Sequence, residues 1–200
     1  MDITLRIADG FAPNADQIRE EILSANFTDE VGPDGYNYTG ICLENQPDLT
    51  KEIAALVGFD VEIKLSCFRV SYEKEMPHNH VHSDGICAKY AGILYLNPNH
   101  QRRGGTAFWR HKVGGWDSLP TDDELIKDGR DPVEFNLDMV EEWQRRDQWA
   151  MCGFAEMKFN RFITYPTKMF HSRYPHEAFG TTLSDGRLIW TVFYDRKGSE

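Results

Sequence analysis

The 200-residue sequence lacks several features that would assign it to common classes of protein. Its 22 basic residues are outnumbered by 32 acidic residues, which gives a formal net charge of -10 at pH 7. Nucleic acids and anionic membrane surfaces are bound by clustered basic side chains, so neither partner is expected. No stretch approaches the roughly 18 consecutive apolar residues that a membrane span needs. The first residues, MDITLRIADGFAPNADQ, also lack the basic and apolar segments of a secretory signal, and a cytoplasmic protein is expected.

Closely spaced cysteine pairs are also missing. The four cysteines, Cys42, Cys67, Cys87 and Cys152, are widely scattered and form no CxxC motif. Zinc knuckles and dithiol redox centres use such pairs, so neither is indicated and reduced thiols are the simpler interpretation. The composition is that of an ordinary globular protein, and the length suits a single domain with a sizeable core.

The hydrophobic pattern divides the chain into a helical first part, two sets of core strands and an insertion. In residues 1–60, apolar residues recur at helical spacing after Asn14 and again before Gly58, which is a suitable left-handed cap. We therefore expect this part to be largely helical. Residues 113–153 contain a glycine pair, an acidic loop and one run with helical spacing, which we interpret as an insertion that carries one helix.

Residues 61–112 and 154–197 have the pattern of core strands. Alternating apolar residues begin at Val61, and four later runs are rich in apolar, aromatic or β-branched residues: AKYAGILYLNP, GGTAFWRHK, NRFITYPT and RLIWTVFYDR. Many short strands after a helical first part favour a mainly β fold with a helical buttress, such as a jelly roll or a barrel.

The segment PHNHVHSDG places a histidine or an aspartate at every second position, at His78, His80, His82 and Asp84. Because side chains alternate between the faces of a strand, all four would point the same way in an extended segment. Two histidines and one carboxylate on one face of a ferrous ion leave positions open for substrate and oxygen. His82 and Asp84 suit two of these ligands, and a distant histidine such as His171, at the end of a predicted strand, would be the third.

Six features in order give the sequence a more specific resemblance. They are Tyr72, the His82-Ser83-Asp84 triplet, the YLN strand at 95–97, Gly104-Gly105 followed by Phe108, the distal His171, and Arg187 at the head of RLIWTVFYD. In this order they resemble the iron(II)- and 2-oxoglutarate-dependent oxygenases, especially the prolyl-hydroxylase-like branch. The resemblance extends over roughly residues 68–194, and it implies a double-stranded β-helix, or jelly roll.

The resemblance also implies a role for each matching residue. The iron ligands would be His82, Asp84 and His171. Arg187 would bind the far carboxylate of 2-oxoglutarate, for which a planar guanidinium is well suited. Tyr95 would donate its hydroxyl group to the same carboxylate, and Tyr72 would contact the end of the cosubstrate nearer the metal.

The implied enzyme is a dioxygenase that uses Fe(II), 2-oxoglutarate and O2. It would couple the oxidative decarboxylation of 2-oxoglutarate to succinate and carbon dioxide with the oxidation of a substrate C–H bond, and hydroxylation is the default outcome. Halogenation is not expected, because Asp84 occupies the position whose carboxylate must be absent to make room for halide. The sequence leaves open whether the substrate is a small molecule, an amino acid or a peptide, and it leaves the oligomeric state open.

Two assignments stay open among the histidines. The interval between His171 and Arg187 is wider than the family usually has, and His176 would restore it, so His176 is the second candidate for the third ligand. His78 and His80 would lie at the rim of the pocket, where they would contact the substrate or only water.

Three other kinds of protein remain as alternatives. A cupin-type metal enzyme would bind its ion through His78, His80, Asp84 and a distal histidine, but it would leave Arg187 without a role. A non-catalytic jelly-roll binding module would not need Arg187 to be buried near the histidine row. A structural zinc protein would use the histidine row as a closed site with four ligands.

Overall fold

The structure is a computed structural model that describes residues 4–32, 35–75, 80–85 and 87–198. Its strands are β1 (Arg6–Asp9), β2 (Thr28–Val31), β3 (Asn37–Cys42), β4 (Val61–Ser71), β5 (Tyr90–Tyr95), β6 (Gly105–His111), β7 (Trp149–Glu156), β8 (Arg161–Pro166), β9 (His171–Tyr174) and β10 (Arg187–Arg196). Its α-helices are α1 (Ala15–Ile22), α2 (Thr50–Val57), α3 (Asp122–Lys127) and α4 (Pro132–Glu142). Among the residues so described, no helix is long and apolar enough to cross a membrane.

The strands form two antiparallel sheets. The larger sheet has seven strands in the order β1-β8-β5-β10-β4-β3-β2, and the smaller has three in the order β7-β6-β9. β10 lies at the centre of the larger sheet, where it pairs with β4 on one side and with β5 on the other. The expectation of a mainly β chain is therefore confirmed.

The two sheets share one hydrophobic core. The larger sheet contributes residues such as Ile93, Ile163 and Ile189, and the smaller sheet contributes Phe108 and Ala155. Because side chains alternate along a strand, every second residue of β5, β8 and β10 faces this inter-sheet space. The residues between them face the opposite side of the larger sheet.

Helices cover the outer faces of both sheets. Leu94 and Trp190 of the larger sheet pack in one cluster with Ile22 of α1 and Ile53 of α2. α2 ends at Gly58, whose φ of 84° is the left-handed conformation that the sequence predicted. On the outer face of the smaller sheet, side chains of β6 and α4 pack in a separate cluster.

The first 60 residues contain more strand than the sequence pattern predicts. Besides α1 and α2 they contain β1, which pairs with β8, and the hairpin of β2 and β3, which extends the larger sheet beyond β4. These strands are four to six residues long, and most of their residues are exposed or half-exposed. Short edge strands of this kind bury few side chains, so their hydrophobic pattern is weaker than that of the helices beside them.

The segment 113–153 also differs from the interpretation of an insertion with one helix. It contains two helices, of which α3 starts with a capping box between Thr121 and Glu124, and α4 starts after Asp131, whose side chain accepts two backbone hydrogen bonds. Strand β7 already begins at Trp149, so the end of the segment belongs to the smaller sheet. Only two side chains of this edge strand are buried, which explains why its pattern was not recognised.

Candidate active site

Three side chains that could bind a metal meet at the inter-sheet space. His82, Asp84 and His171 each offer one ligand atom, and these atoms lie within 4.8 Å of one another. Asp84 Oδ2 is 3.1 Å from His171 Nε2, and Asp84 Oδ1 is 3.7 Å from His82 Nε2. In the described part of the chain, no other group of three or more His, Cys, Asp or Glu residues comes together in this way.

Backbone hydrogen bonds hold the three residues in register. The N–H of His82 donates to the carbonyl of His171 at 3.0 Å, and the N–H of His171 donates to the carbonyl of His82 at 2.9 Å. The N–H of Asp84 donates to the carbonyl of Thr167 at 2.8 Å. The segment with His82 and Asp84 is thus fixed alongside the start of β9, although the two stretches are far apart in the sequence.

A carbonyl group orients the ring of His171. His171 Nδ1 lies 2.8 Å from the carbonyl oxygen of Met169, which can only accept a hydrogen bond. In the neutral ring the proton is therefore on Nδ1, and the lone pair on Nε2 faces Asp84. Metal-binding histidines are commonly held in this way, with one nitrogen on a carbonyl and the other on the ion.

Asp84 and His171 also influence each other's ionisation. Burial opposes the ionised form of Asp84, but the nearby His171 and His82 outweigh burial and lower the pKa of the Asp84 carboxyl. Burial likewise opposes the imidazolium form of His171, but Asp84 outweighs it and raises the pKa of His171. The carboxylate is therefore ionised at neutral pH, as a metal ligand must be.

Arg187 lies on the same side of the larger sheet as the shared core. It pairs with Ser71 of β4 and is two residues from Ile189, whose side chain is part of that core. Only 6% of Arg187 is exposed, and its Nε is buried without a hydrogen-bond partner. The carboxylate of Glu75 is already paired with two other arginines. Burial lowers the pKa of Arg187 to about 10.

Tyr95 is fully buried beside Arg187. The guanidinium carbon of Arg187 is 5.8 Å from the centre of the Tyr95 ring. The Tyr95 hydroxyl lies 2.7 Å from Oγ1 of Thr106 on β6, so it links the two sheets. Burial raises the pKa of Tyr95, although the charge of Arg187 opposes this. The hydroxyl group is therefore protonated at neutral pH and can donate a hydrogen bond.

Asn97 is a further residue of the site that was not assigned a role from the sequence. Its side-chain amide donates to the carbonyl of Gly186 at 2.7 Å, and its side-chain oxygen accepts from the N–H of Leu188 at 2.8 Å. These two bonds hold the chain on both sides of Arg187. Asn97 is the last residue of the YLN motif, so this motif could have identified Asn97 as a residue of the site.

A cluster of charged residues beside the site was missed altogether. Glu75 forms ion pairs with Arg69 and Arg173, and Arg173 lies two residues after His171 on β9. A residue two positions from a candidate ligand on a strand faces the same side as that ligand. This spacing is the signal that could have identified Arg173.

The other sequence candidates lie apart from the three-residue group. Tyr72 follows β4 and packs against the core on the helical side of the larger sheet, so its predicted contact with a cosubstrate stays a prediction. Nδ1 of His176 is 3.4 Å from Nδ1 of His80, and burial together with His80 lowers the pKa of His176 to about 4. His176 thus contacts His80, whereas His171 contacts Asp84. His78 lies outside the described residues.

Two comparisons with known sequences give one family match. A family model described as "Family of unknown function (DUF6445)" matches residues 69–194. A search of curated proteins gave no significant match.

Several solved structures resemble the whole chain. AviO1 from Streptomyces viridochromogenes Tue57 has a TM-score of 0.58 at 14% identity, with 98% of this chain and 91% of that chain covered. The non-heme alpha ketoglutarate dependent epimerase SnoN from nogalamycin biosynthesis has a TM-score of 0.56 at 13% identity, with coverages of 96% and 76%. HygX from Streptomyces hygroscopicus, solved with iron bound, has a TM-score of 0.54 at 9% identity, with coverages of 98% and 83%. At these identities the similarity shows a shared fold.

Proposed function

The chain belongs to the DUF6445 family, a family of unknown function, and we propose that it is an iron(II)- and 2-oxoglutarate-dependent dioxygenase. One observation carries the proposal: two unlike groups face the same inter-sheet space. One is the group of His82, Asp84 and His171, and the other is the buried Arg187, whose Nε lacks an acceptor. An iron ion and a dicarboxylate cosubstrate would need these two groups together. SnoN, which has a similar fold, is described as alpha ketoglutarate dependent.

The donor set fits ferrous iron. Two imidazole nitrogens and one carboxylate are the ligands of the facial triad in non-heme iron oxygenases, which leaves the remaining positions for substrate and oxygen. A structural zinc site is usually closed by four protein ligands, whereas the described residues bring three together here. His82, Asp84 and His171 would therefore hold an ion with open positions.

The surroundings of Arg187 fit a carboxylate. A buried cation with an unpartnered donor is costly, and a bound carboxylate would offset that cost. Tyr95 lies close enough to Arg187 for its hydroxyl group to donate to the same anion. We assign the far carboxylate of 2-oxoglutarate to Arg187 and Tyr95. For Tyr72, which packs on the helical side of the larger sheet, the proposed contact with the end nearer the metal rests on the resemblance alone.

Iron together with 2-oxoglutarate and O2 supplies the oxidising power to break a substrate C–H bond. The chain's own residues hold and orient the components. Met169 fixes the ring of His171 through its carbonyl group, and Asn97 fixes the backbone around Arg187. Tyr165 and Phe108 belong to the hydrophobic core between the sheets, and their rings are in contact. They exclude water from this side of the site.

We further infer that the two sheets form a double-stranded β-helix, or jelly roll, of the prolyl-hydroxylase-like branch. The proposed substrate is a small molecule, an amino acid or a peptide, and hydroxylation is the proposed reaction. We propose no nucleic acid or membrane partner for this enzyme. We propose that it is located in the cytoplasm.

The alternative functions have less support. A cupin-type site would need His80 beside Asp84, but His80 contacts His176 instead. A non-catalytic binding module would not require a buried Arg187, and this arginine is only 6% exposed.

Anaerobic titration calorimetry tests the proposal. Iron(II) should bind to the wild-type protein with a stoichiometry of one, and 2-oxoglutarate should then bind more tightly than it does without metal. The Asp84→Ala variant should lose both effects, whereas Glu62→Ala, which removes an exposed carboxylate on β4, should retain them. Equal affinity for 2-oxoglutarate with and without iron would contradict the proposal.

A further inference from the structure

The charged cluster beside the site has no role in the function proposed above. Glu75 bridges two arginines that belong to different sheets: its Oε1 is 2.6 Å from Nη2 of Arg69, and its Oε2 is 3.3 Å from Nη1 of Arg173. All three side chains are mostly buried, with exposed fractions of 29% for Arg69 and 12% for the other two.

Both arginines lie at strand positions that face the inter-sheet space. Arg173 is two residues after His171 on β9 and pairs with Thr106 of β6. Arg69 on β4 pairs with Ile189, whose side chain is part of the shared core. The cluster is therefore on the same side of both sheets as the candidate metal ligands.

The cluster has hydrogen-bond donors without acceptors. Nε of Arg69 and Nη2 of Arg173 are both buried and have no partner among the described residues. The neighbouring Nε of Arg173 is satisfied, since it donates to the carbonyl of His176 at 3.0 Å. A buried donor without an acceptor costs about 1–3 kcal/mol. Each of these two donors would therefore be stabilised by an additional acceptor.

The charges of the cluster point to the kind of acceptor. Within the cluster itself, Arg69 and Arg173 carry two positive charges and Glu75 carries one negative charge, so the three side chains have a net charge of +1. Guanidinium groups bind carboxylates through paired, charge-assisted hydrogen bonds. A carboxylate would carry the opposite charge to the cluster and could accept hydrogen bonds from both guanidinium groups.

There is space beside the cluster for a small acid. A cavity of about 310 Å³ is lined by Arg69 and Glu75 of the cluster, whereas Arg173 lies behind Glu75 and is not part of the lining; the other lining residues are Tyr36, Asn37, Thr39, Tyr72 and Lys74. This volume is at the lower end of the range for small-molecule sites. Lys74 adds a further positive charge to its wall.

We propose that Arg69 and Arg173 bind a carboxylate group of the primary substrate, and that the substrate is therefore a small carboxylic acid. This inference rests on the proposed function, because Arg187 is assigned to the cosubstrate. Glu75 stays in place and holds the two guanidinium groups together, while the unpartnered Nε of Arg69 and Nη2 of Arg173 donate to the substrate. The site thus discriminates a free acid from its amide or ester.

Ligand-observed NMR tests this inference through binding alone. The protein is loaded with zinc(II) as a diamagnetic replacement for iron and with saturating 2-oxoglutarate, so that Arg187 is occupied. The probes are a panel of L-amino acids and short hydroxy acids, each measured beside its primary amide. At least one acid should bind about 10- to 100-fold more tightly than its amide, the ratio expected from one charge-assisted hydrogen bond or more.

Substitutions should locate this preference in the cluster. Arg69→Gln and Arg173→Gln should each reduce the ratio of acid to amide affinity to near one, without weakening the binding of 2-oxoglutarate. Arg173→Lys keeps the charge but not the planar fork, and it should show an intermediate ratio. Arg110→Gln, on the exposed side of β6 and paired with Asp117, is the matched control and should leave the ratio unchanged. Circular dichroism establishes that each variant is folded.

The outcomes separate this inference from the function on which it rests. If the loaded protein binds 2-oxoglutarate but binds no acid of the panel, or binds acids and amides equally, the inference is wrong and the proposed function stands. The same holds if Arg173→Gln weakens the binding of 2-oxoglutarate, because Arg173 would then belong to the cosubstrate site. If the wild-type protein does not bind 2-oxoglutarate, both the function and the inference fail.

Discussion

Replacing Arg187 with methionine should change two properties of the protein in opposite directions. The ligand-free protein should become more stable, because the substitution removes a buried positive charge with an unpartnered Nε. The affinity for 2-oxoglutarate should fall, because the same charge is the proposed partner of its far carboxylate. Methionine has a length similar to that of the arginine stem, so it should fill the space around Tyr95 with little loss of packing.

The pKa of Arg187 gives the size of the first effect. Burial lowers this pKa from its ordinary value to about 10, which corresponds to a free-energy cost of about 3 kcal/mol. Since the pKa of the folded state is below that of the unfolded state, the cost is fully present below pH 10 and decreases as the pH rises above 10. At neutral pH the variant should therefore gain up to about 3 kcal/mol of stability, and its Tm should rise by about 2–4 °C for each kcal/mol.

The hydrogen bonds of Arg187 give the size of the second effect. Each charge-assisted bond to a carboxylate contributes about 1.5–3 kcal/mol, so the Kd for 2-oxoglutarate should rise by about 10- to 100-fold. At a concentration of 100 times the wild-type Kd, 2-oxoglutarate should stabilise the wild-type protein by about 2.7 kcal/mol. A 100-fold weaker variant should be stabilised by only about 0.4 kcal/mol under the same conditions.

Urea denaturation of the metal-loaded protein, with and without 2-oxoglutarate, measures both effects under anaerobic conditions. Arg102→Met is the matched control, since Arg102 is an exposed arginine paired with Glu156, and it should change neither quantity by more than about 0.5 kcal/mol. The reasoning is refuted if Arg187→Met is less stable than the wild type and is still stabilised by 2-oxoglutarate to the same extent.

Other substitutions test the remaining parts of the site. Asp84→Ala should abolish stoichiometric iron(II) binding in calorimetry while circular dichroism shows an intact fold, and retained binding would exclude Asp84 as a ligand. His171→Ala should lose iron, whereas His176→Ala should keep it, because only His171 contacts Asp84; the reverse result would reassign the third ligand. Asn97→Ala removes two buried hydrogen bonds beside Arg187 and should cost about 2 kcal/mol in urea denaturation, and an unchanged stability would show that these bonds do not hold the loop.

The sequence predicted the centre of the fold, and it identified His82 and Asp84 as neighbouring candidates, because both depend on strong local patterns. β5 and β10 are long apolar runs, and the alternation from Val61 onwards marks β4, so the middle of the larger sheet was recognisable. The spacing of His82 and Asp84 puts both side chains on one face of an extended segment. Their predicted roles as ligands remain proposals until a metal is measured.

The choice between His171 and His176 depends on a non-local contact. β9 pairs with β6 so that His171 lies opposite Phe108, and this register directs the His171 ring towards Asp84. Neither histidine differs from the other in its local sequence in a way that reveals this pairing. The sequence could therefore name both candidates but could not choose between them on physical grounds alone.

The cluster of Arg69, Glu75 and Arg173 shows what sequence patterns do not reveal. Its members come from the end of β4, the segment after it and β9, which the facing of the two sheets brings together. A single arginine in a strand gives no indication of its partner across a core. The hairpin of β2 and β3 was missed for a related reason, because the contacts that define it lie in neighbouring strands rather than in its own sequence.

Visible absorption during the anaerobic addition of 2-oxoglutarate to the iron(II)-loaded protein tests the central claim most directly. Chelation of iron(II) by the 2-oxo acid gives a weak visible charge-transfer band. The proposed function predicts this band for the wild-type protein and its absence for Asp84→Ala. If iron(II) and 2-oxoglutarate both bind to the wild-type protein and no band appears, the two do not meet at one centre, and the proposed function is wrong.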